Sequence, residues 1–187
     1  MPSIISHIVT GTSLGYSLYP DEKKFKFYIF AILLSIIPDF DVIMFRIGIP
    51  YAHPMGHRGF FHSFLFAAII GIFFAYIFFS RNEARAKKYT MISFVFILIG
   101  FMHCLLDAMT NGGLGIGLFI PFSYQRYFLP WKPIEVSPIR ISDFFSNWGL
   151  RVLKNEFIFL IIPSIILVSS SRIIRFLLQY YRKKSGN

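Results

Sequence analysis

Long apolar runs alternate with short charged stretches along this chain, and the runs predict its elements. Four approach the ~20 residues that cross a bilayer as a helix: roughly Lys26–Ile37, able to continue past Pro38, then Phe60–Phe79, Tyr89–Ala108 and Phe157–Leu178. A fifth, Ser3–Tyr19, is weaker and carries Gly11, Gly15 and several hydroxyls. Small residues let helix backbones approach closely, so this segment is expected inside the bundle. Pro163 predicts a kink in the last helix. Between the fourth and fifth runs, "IPFSYQRYFLPWKPIEVSPIRIS" (120–142) is too polar and Pro-rich to span. Its aromatics Tyr124, Tyr127, Phe128 and Trp131 suit a membrane interface, and the alternation in "PIEVSPIRIS" predicts a short extended stretch or hairpin.

The expected fold is therefore an all-α membrane protein. It is a bundle of about five helices, four or five of them spanning, with a partly extended interfacial segment near 120–142. One integral-membrane domain is expected over 1–187, with 120–155 as its interfacial loop region and 179–187 as a basic cytoplasmic tail. Composition strengthens this reading. Of the 187 residues 55% are apolar, with 24 Phe, and mean hydropathy is +0.60. A soluble domain of this length cannot bury that much hydrocarbon. A single cysteine, Cys104, excludes an internal disulfide or a multi-Cys zinc knot and reads as a packing residue. "MPSIISHIVTGTSLGYSLY" has neither a basic start nor a clear cleavage site, so it is not expected to be a removed signal peptide.

Charge sets an expected orientation. With alternating helices, 12 of the 19 basic residues fall on one face: Lys23, Lys24, Lys26, Arg81, Arg85, Lys87, Lys88, Arg172, Arg175, Arg182, Lys183 and Lys184. The other seven, Arg46, Arg58, Arg126, Lys132, Arg140, Arg151 and Lys154, are spread over longer segments. An excess of basic loops marks the cytoplasmic side, so the C-terminus is expected there. The net charge of +10 lies in patches that suit anionic headgroups. No recognition module accompanies it, and no nucleic-acid partner is expected.

The polar residues then gather. His7, the "PDFD" acids Asp39 and Asp41, "HRGFFHS" with His57, Arg58 and His62, and "HCLLDAMTNGG" with His103 and Asp107 all reach the face with few basic loops. His103 and Asp107, four apart, project from one side of a helix ~6 Å apart along its axis. Imidazoles with carboxylates form the ligand set of Zn²⁺ or a similar divalent ion. Ionisable groups at membrane depth are costly and mark functional sites, though each alone could be a helix cap, a stop or an ion pair. No HExxH, GxSxG or phosphate-binding loop occurs, and "GGLGIG" (112–117) reads as a chain reversal.

This ordered set, an early His followed by "PDFD", "HRGFFHS", "HCLLDAMTNGG" and "IPFS", resembles the YdjM-like family of membrane-bound metal-dependent hydrolases over about residues 5–140. The resemblance implies His7, Asp39, Asp41, His57, His62, His103 and Asp107 as metal ligands or near-ligands. A more distant likeness is to zinc-dependent phospholipase C, although its further HxxxE-type pair is missing, which favours one or two ions, Zn foremost and Mn as another candidate. The expected activity is hydrolysis of a phosphoester in a lipid or lipid-like substrate at the extracytoplasmic face of the inner membrane. Asp41 would orient a ligand or take a proton, His62 would bind metal or act as the acid, and Arg58 would clamp phosphate charge. Ser63, Thr110 and Asn111 would support them. The alternatives are hydrolysis of an acyl ester or amide, or a non-catalytic metal-binding scaffold.

Overall fold

The structure, a computed structural model, describes residues 1–19, 25–79 and 86–185. Lys23, Lys24, Arg81 and Arg85, counted above for orientation, lie outside the described residues.

Eight helices follow one another among the described residues: α1 (Ile4–Leu18), α2 (Phe25–Ile36), α3 (Ile43–Arg46), α4 (Phe64–Phe79), α5 (Ala86–Ala108), α6 (Ile141–Phe144), α7 (Asn147–Glu156) and α8 (Ile162–Ser185). The protein is an all-α membrane protein. Three helical stretches are long and apolar enough to cross a bilayer: Phe25–Arg46, Lys87–Ala108 and Asn147–Lys184. The shorter α1 and α4, of 15 and 16 residues, complete the bundle.

Helix α2 does not stop at Pro38. It tightens into a 3₁₀ segment, Ile37–Val42, and runs on as α3. Proline lacks an N–H and restrains the residue before it, so a short tighter turn is the local solution. This turn lifts Asp39 and Asp41 out of the α-helical register.

The core lies between α2, α4 and α5, where Phe27, Ala31, Leu34, Ala75, Ile92, Phe96 and Ile99 are buried together. Helices α4 and α5 form the most extensive pair. Their approach is close enough that a Cβ on Gly100 would sit 2.9 Å from that of Ala67. Helix α1 packs on α2, α5 and α8. At Gly11 a Cβ would fall 1.9 Å from Ser35 Oγ, so a side chain there would displace that hydroxyl from between the helices.

The last helical stretch begins at Asn147, not at the apolar run near Phe157. Ser146 caps it, its hydroxyl accepting from Trp148 N at 3.1 Å. A polar, amphipathic first segment hides this start from hydropathy. The irregularity expected at Pro163 takes the form of a π turn over Phe157–Ile161. Segment 109–140 lies over the end of the bundle that receives the N-terminus of α1. Among the described residues it forms no hairpin, only isolated bridges Thr110–Ile134 and Ile116–Tyr127. Gly113 and Gly115, at φ 90 and 83°, reverse the chain within "GGLGIG".

Candidate metal centre

Four elements deliver the site. Helix α1 contributes His7 from its first turn, the 3₁₀ segment Asp39 and Asp41, the turn Phe60–His62 contributes His62, and the last two turns of α5 give His103 and Asp107.

Five side chains converge at one point. His7 Nε2 lies 3.2 Å from Asp107 Oδ1 and 3.8 Å from Asp39 Oδ2. His62 Nε2 lies 3.4 Å from Asp39 Oδ1 and 3.3 Å from Asp107 Oδ2. His103 Nε2 is 3.6 Å from Asp39 Oδ1. All five residues are buried, and the His7 and His103 rings stack at 4.0 Å.

The donor set fits a cation. Asp39, His62, His103 and Asp107 each offer an atom within 4.8 Å of the others, so this buried group is able to hold a metal ion. Ligand bonds of ~2.0–2.2 Å put neighbouring donors ~3–3.6 Å apart, close to the separations seen here. Both Asp39 oxygens, Asp107 Oδ2, and Nε2 of His62 and His103 are buried without a hydrogen-bond partner. Buried polar atoms are normally paired, and unpaired ones require an explanation. A shared cation would supply it for these five atoms.

The tautomers are set from behind. His103 Nδ1 donates to the carbonyl of Ser35 at 2.7 Å. His62 Nδ1 faces Asp41 Oδ2 at 2.9 Å. With a proton on each Nδ1, both Nε2 lone pairs would face inwards towards two carboxylates. That arrangement repels itself unless positive charge lies between them.

Asp41 therefore stands behind the ring of donors. Its Oδ1 pairs with His57 Nδ1 at 2.5 Å, and its Oδ2 also accepts from Arg58 N at 2.8 Å. His57 is not brought into the ring. Its Nδ1 is tied to Asp41, on the far side of His62. His53 lies in the adjoining loop, its Nδ1 accepting from Met55 N.

Arg58 is buried and held by the protein through both terminal nitrogens. Its guanidinium donates to Gly112 O at 2.7 Å and Thr110 Oγ1 at 3.0 Å, and its Nε is 3.5 Å from Asp107 Oδ2. Its backbone sits at φ 61°, a left-handed conformation uncommon for a side chain of this size. Contacts on both sides hold it there: its N–H on Asp41, and its carbonyl accepting from Gly117 N at 2.8 Å. Of the proposed supports, Thr110 also donates to Asp107 O at 2.8 Å, Asn111 accepts from Val136 N, and Ser63 accepts from Phe66 N as a cap of α4.

Three contributors carry no sequence signal that reasoning about ligands could use. Arg126 donates to the carbonyls of His57, Tyr51 and His53, at 2.9, 2.9 and 3.1 Å, and so fixes the loop that bears His57. Burial lowers its pKa from the usual arginine value. Burial also pushes the Tyr51 hydroxyl up to about 12, keeping it a neutral donor. Glu156, buried at the end of α7, accepts from the backbone N–H of Ser3, from Ser3 Oγ at 2.6 Å and from Ser6 Oγ at 2.8 Å. It thereby satisfies the N-terminus of the helix that carries His7.

Two cavities open beside the centre. One, of about 380 Å³, is almost wholly apolar, lined by Ile4, Ile5, Phe40 and Phe145, and reaches Asp39. The other, of about 340 Å³, is more polar and reaches His57, Tyr51 and Arg58. Met1, Ser137, Ile139 and Arg140 line both.

Comparison with known proteins agrees with this architecture. The family model described as YdjM inner membrane protein matches residues 1–181. The chain belongs to that family. It is also similar to Inner membrane protein YbcI of Escherichia coli (strain K12), at 32% identity over 173 residues, covering 90% of this chain and 95% of the relative. No solved structure matches it. Membership of an inner-membrane family, together with three apolar helices of spanning length, places the protein in the inner membrane.

Proposed function

We propose that the protein is a metal-dependent hydrolase that cleaves a phosphoester of a lipid or lipid-like substrate. One observation carries this reading: five buried donors, three imidazoles and two carboxylates, converge beside a cavity whose lining includes exposed apolar side chains. His7, Asp39, His62, His103 and Asp107 would hold one divalent ion, and nitrogen with carboxylate oxygen suits Zn²⁺ first. Such an ion supplies Lewis acidity, lowering the pKa of a water it binds and drawing charge from a phosphoryl oxygen.

The remaining steps belong to the chain. Asp41 is hydrogen-bonded to His57 Nδ1 and lies 2.9 Å from His62 Nδ1, so one carboxylate would orient a ligand and a proton carrier together. His57, with Nδ1 held and its ring at the wall of the polar cavity, is the group placed to pass a proton to a leaving oxygen. Arg58 acts through position. Its charge lies against Asp107 and its terminal nitrogens hold the loop after α5, so it tempers the negative field of the site.

The site is proposed to face away from the cytoplasm. Among the described residues, Lys26, Lys87, Lys88, Arg172, Arg175 and the basic end of α8 belong to the opposite end of the bundle, and basic residues concentrate on the cytoplasmic side. Fusion of a periplasm-dependent reporter to the C-terminus should give no signal.

Elemental analysis and turnover test the function together. Purified protein should contain a stoichiometric divalent metal, and His103→Ala should lose it. Incubation with a panel of phospholipids and soluble phosphodiesters should release product in wild type only, with EDTA abolishing it. Metal without turnover on any substrate would leave a metal-binding scaffold and sink the hydrolase.

A further inference from the structure

The two cavities share a wall, and their characters differ. The apolar one begins at Asp39 of the metal centre and runs out between the N-terminus of α1 and Phe40 to a surface where Ile4, Ile5, Phe40 and Phe145 are exposed. The polar one begins at His57 and runs past Tyr51. Arg140, exposed, lies on the boundary between them together with Ile139 and Ser137.

We infer that the site binds a bilayer phosphodiester lipid in three parts: one hydrocarbon chain in the apolar cavity, its phosphate at Arg140, and its polar head in the second cavity. The inference rests on the hydrolase reading for the role of the centre but stands on its own geometry. The chamber has exposed aliphatic and aromatic side chains in its lining, and such apolar surface favours a hydrocarbon chain over water. Its ~380 Å³ lies within the ~300–1,000 Å³ usual for small-ligand pockets and is enough for part of one chain rather than for a whole lipid. A guanidinium presents a planar fork of donors that matches phosphate. Its place at the junction, with an apolar chamber on one side and a polar one on the other, matches the order chain, phosphate, head. A phosphate held there has Asp39 on one flank and His57 on the other.

Three probes separate the parts: a short-chain phosphatidylglycerol, the matching diacylglycerol, and glycerophosphoglycerol, which keeps phosphate and head without a chain. Binding to detergent-purified, metal-loaded protein is read by native mass spectrometry. Phosphatidylglycerol should bind at least about tenfold more tightly than either fragment, the scale of one charge-assisted hydrogen bond or a partly buried chain. Arg140→Gln should weaken phosphatidylglycerol about tenfold and leave diacylglycerol unchanged. Ile5→Trp, which fills the apolar chamber, should weaken both lipids and leave glycerophosphoglycerol unchanged. Ile4 lines the apolar chamber alone, so Ile4→Trp gives a second obstruction with the same expected pattern if Ile5→Trp does not fold. Unchanged metal content in each variant shows that the centre is intact. Glycerophosphoglycerol binding as tightly as the lipid, or variants that bind like wild type, would overturn the inference. Lipid bound with these dependences but never cleaved keeps it and removes the hydrolase. Phosphodiester cleavage that ignores all three variants does the reverse.

Discussion

Asp41 Oδ2 stands 2.9 Å from Nδ1 of His62, while its other oxygen holds Nδ1 of His57 at 2.5 Å. One carboxylate thus sets the direction of two imidazoles, one turned into the donor ring and one towards the polar cavity. An acid in this position raises the basicity of a ligand histidine and locks its tautomer.

Asp41→Asn removes that charge while keeping shape. Metal affinity should fall ~10–100-fold, the cost typical of losing a carboxylate behind a ligand histidine. Residual activity in metal-saturated variant should fall further, because His57 is released as well. Metal titration with a competing chelator, followed by turnover at saturation, reads the two effects separately. Unchanged affinity would show that Asp41 orients nothing.

Much of this was legible in the residues. Apolar runs located the helices, and the His and Asp motifs pointed to one end of the bundle. What periodicity could not supply is the division of labour within pairs. Asp39 and Asp41 are one residue apart, and the 3₁₀ turn after Pro38 sends one into the ring and the other behind it. His57 and His62 are five apart, and the left-handed backbone at Arg58 separates their roles. Both are local backbone events with no hydropathy signature. The early start of the final helix was hidden for the opposite reason: α7 is polar, and only Ser146 marks it. Glu156 and Arg126 escaped because their partners, Ser3 and the carbonyls of residues 51–57, are distant in sequence.

Arg58 separates structure from substrate binding. It is buried, and its charge lies 3.5 Å from Asp107 Oδ2. Removing one partner of a buried pair costs about 3–5 kcal/mol, because the other charge is left uncompensated. Arg58→Ala should therefore lower the thermal midpoint of detergent-solubilised, metal-free protein markedly. A group that only clamped substrate would leave that midpoint in place.

Protons compete with the ion for the three ring histidines. Imidazole binds metal only in its neutral form. Affinity should thus weaken as pH drops, with protons released on binding. Calorimetric titration in buffers of different ionisation enthalpy counts them. A pH-independent affinity would mean that the imidazoles do not hold the ion.

Glu156 tests whether the site depends on a helix end. Its carboxylate accepts from Ser3 N–H and from the hydroxyls of Ser3 and Ser6, all at the start of the helix that bears His7. Glu156→Ala leaves these donors buried and unpaired, at about 1–3 kcal/mol for each that finds no water. Stability should fall, and metal affinity should fall with it as α1 loosens. Glu156→Gln keeps one acceptor oxygen and should lose less of both. Melting both variants in EDTA separates the two effects, since a loss that persists without metal belongs to the helix. If Glu156→Ala melts like wild type in EDTA, the carboxylate contributes nothing to holding α1 in place.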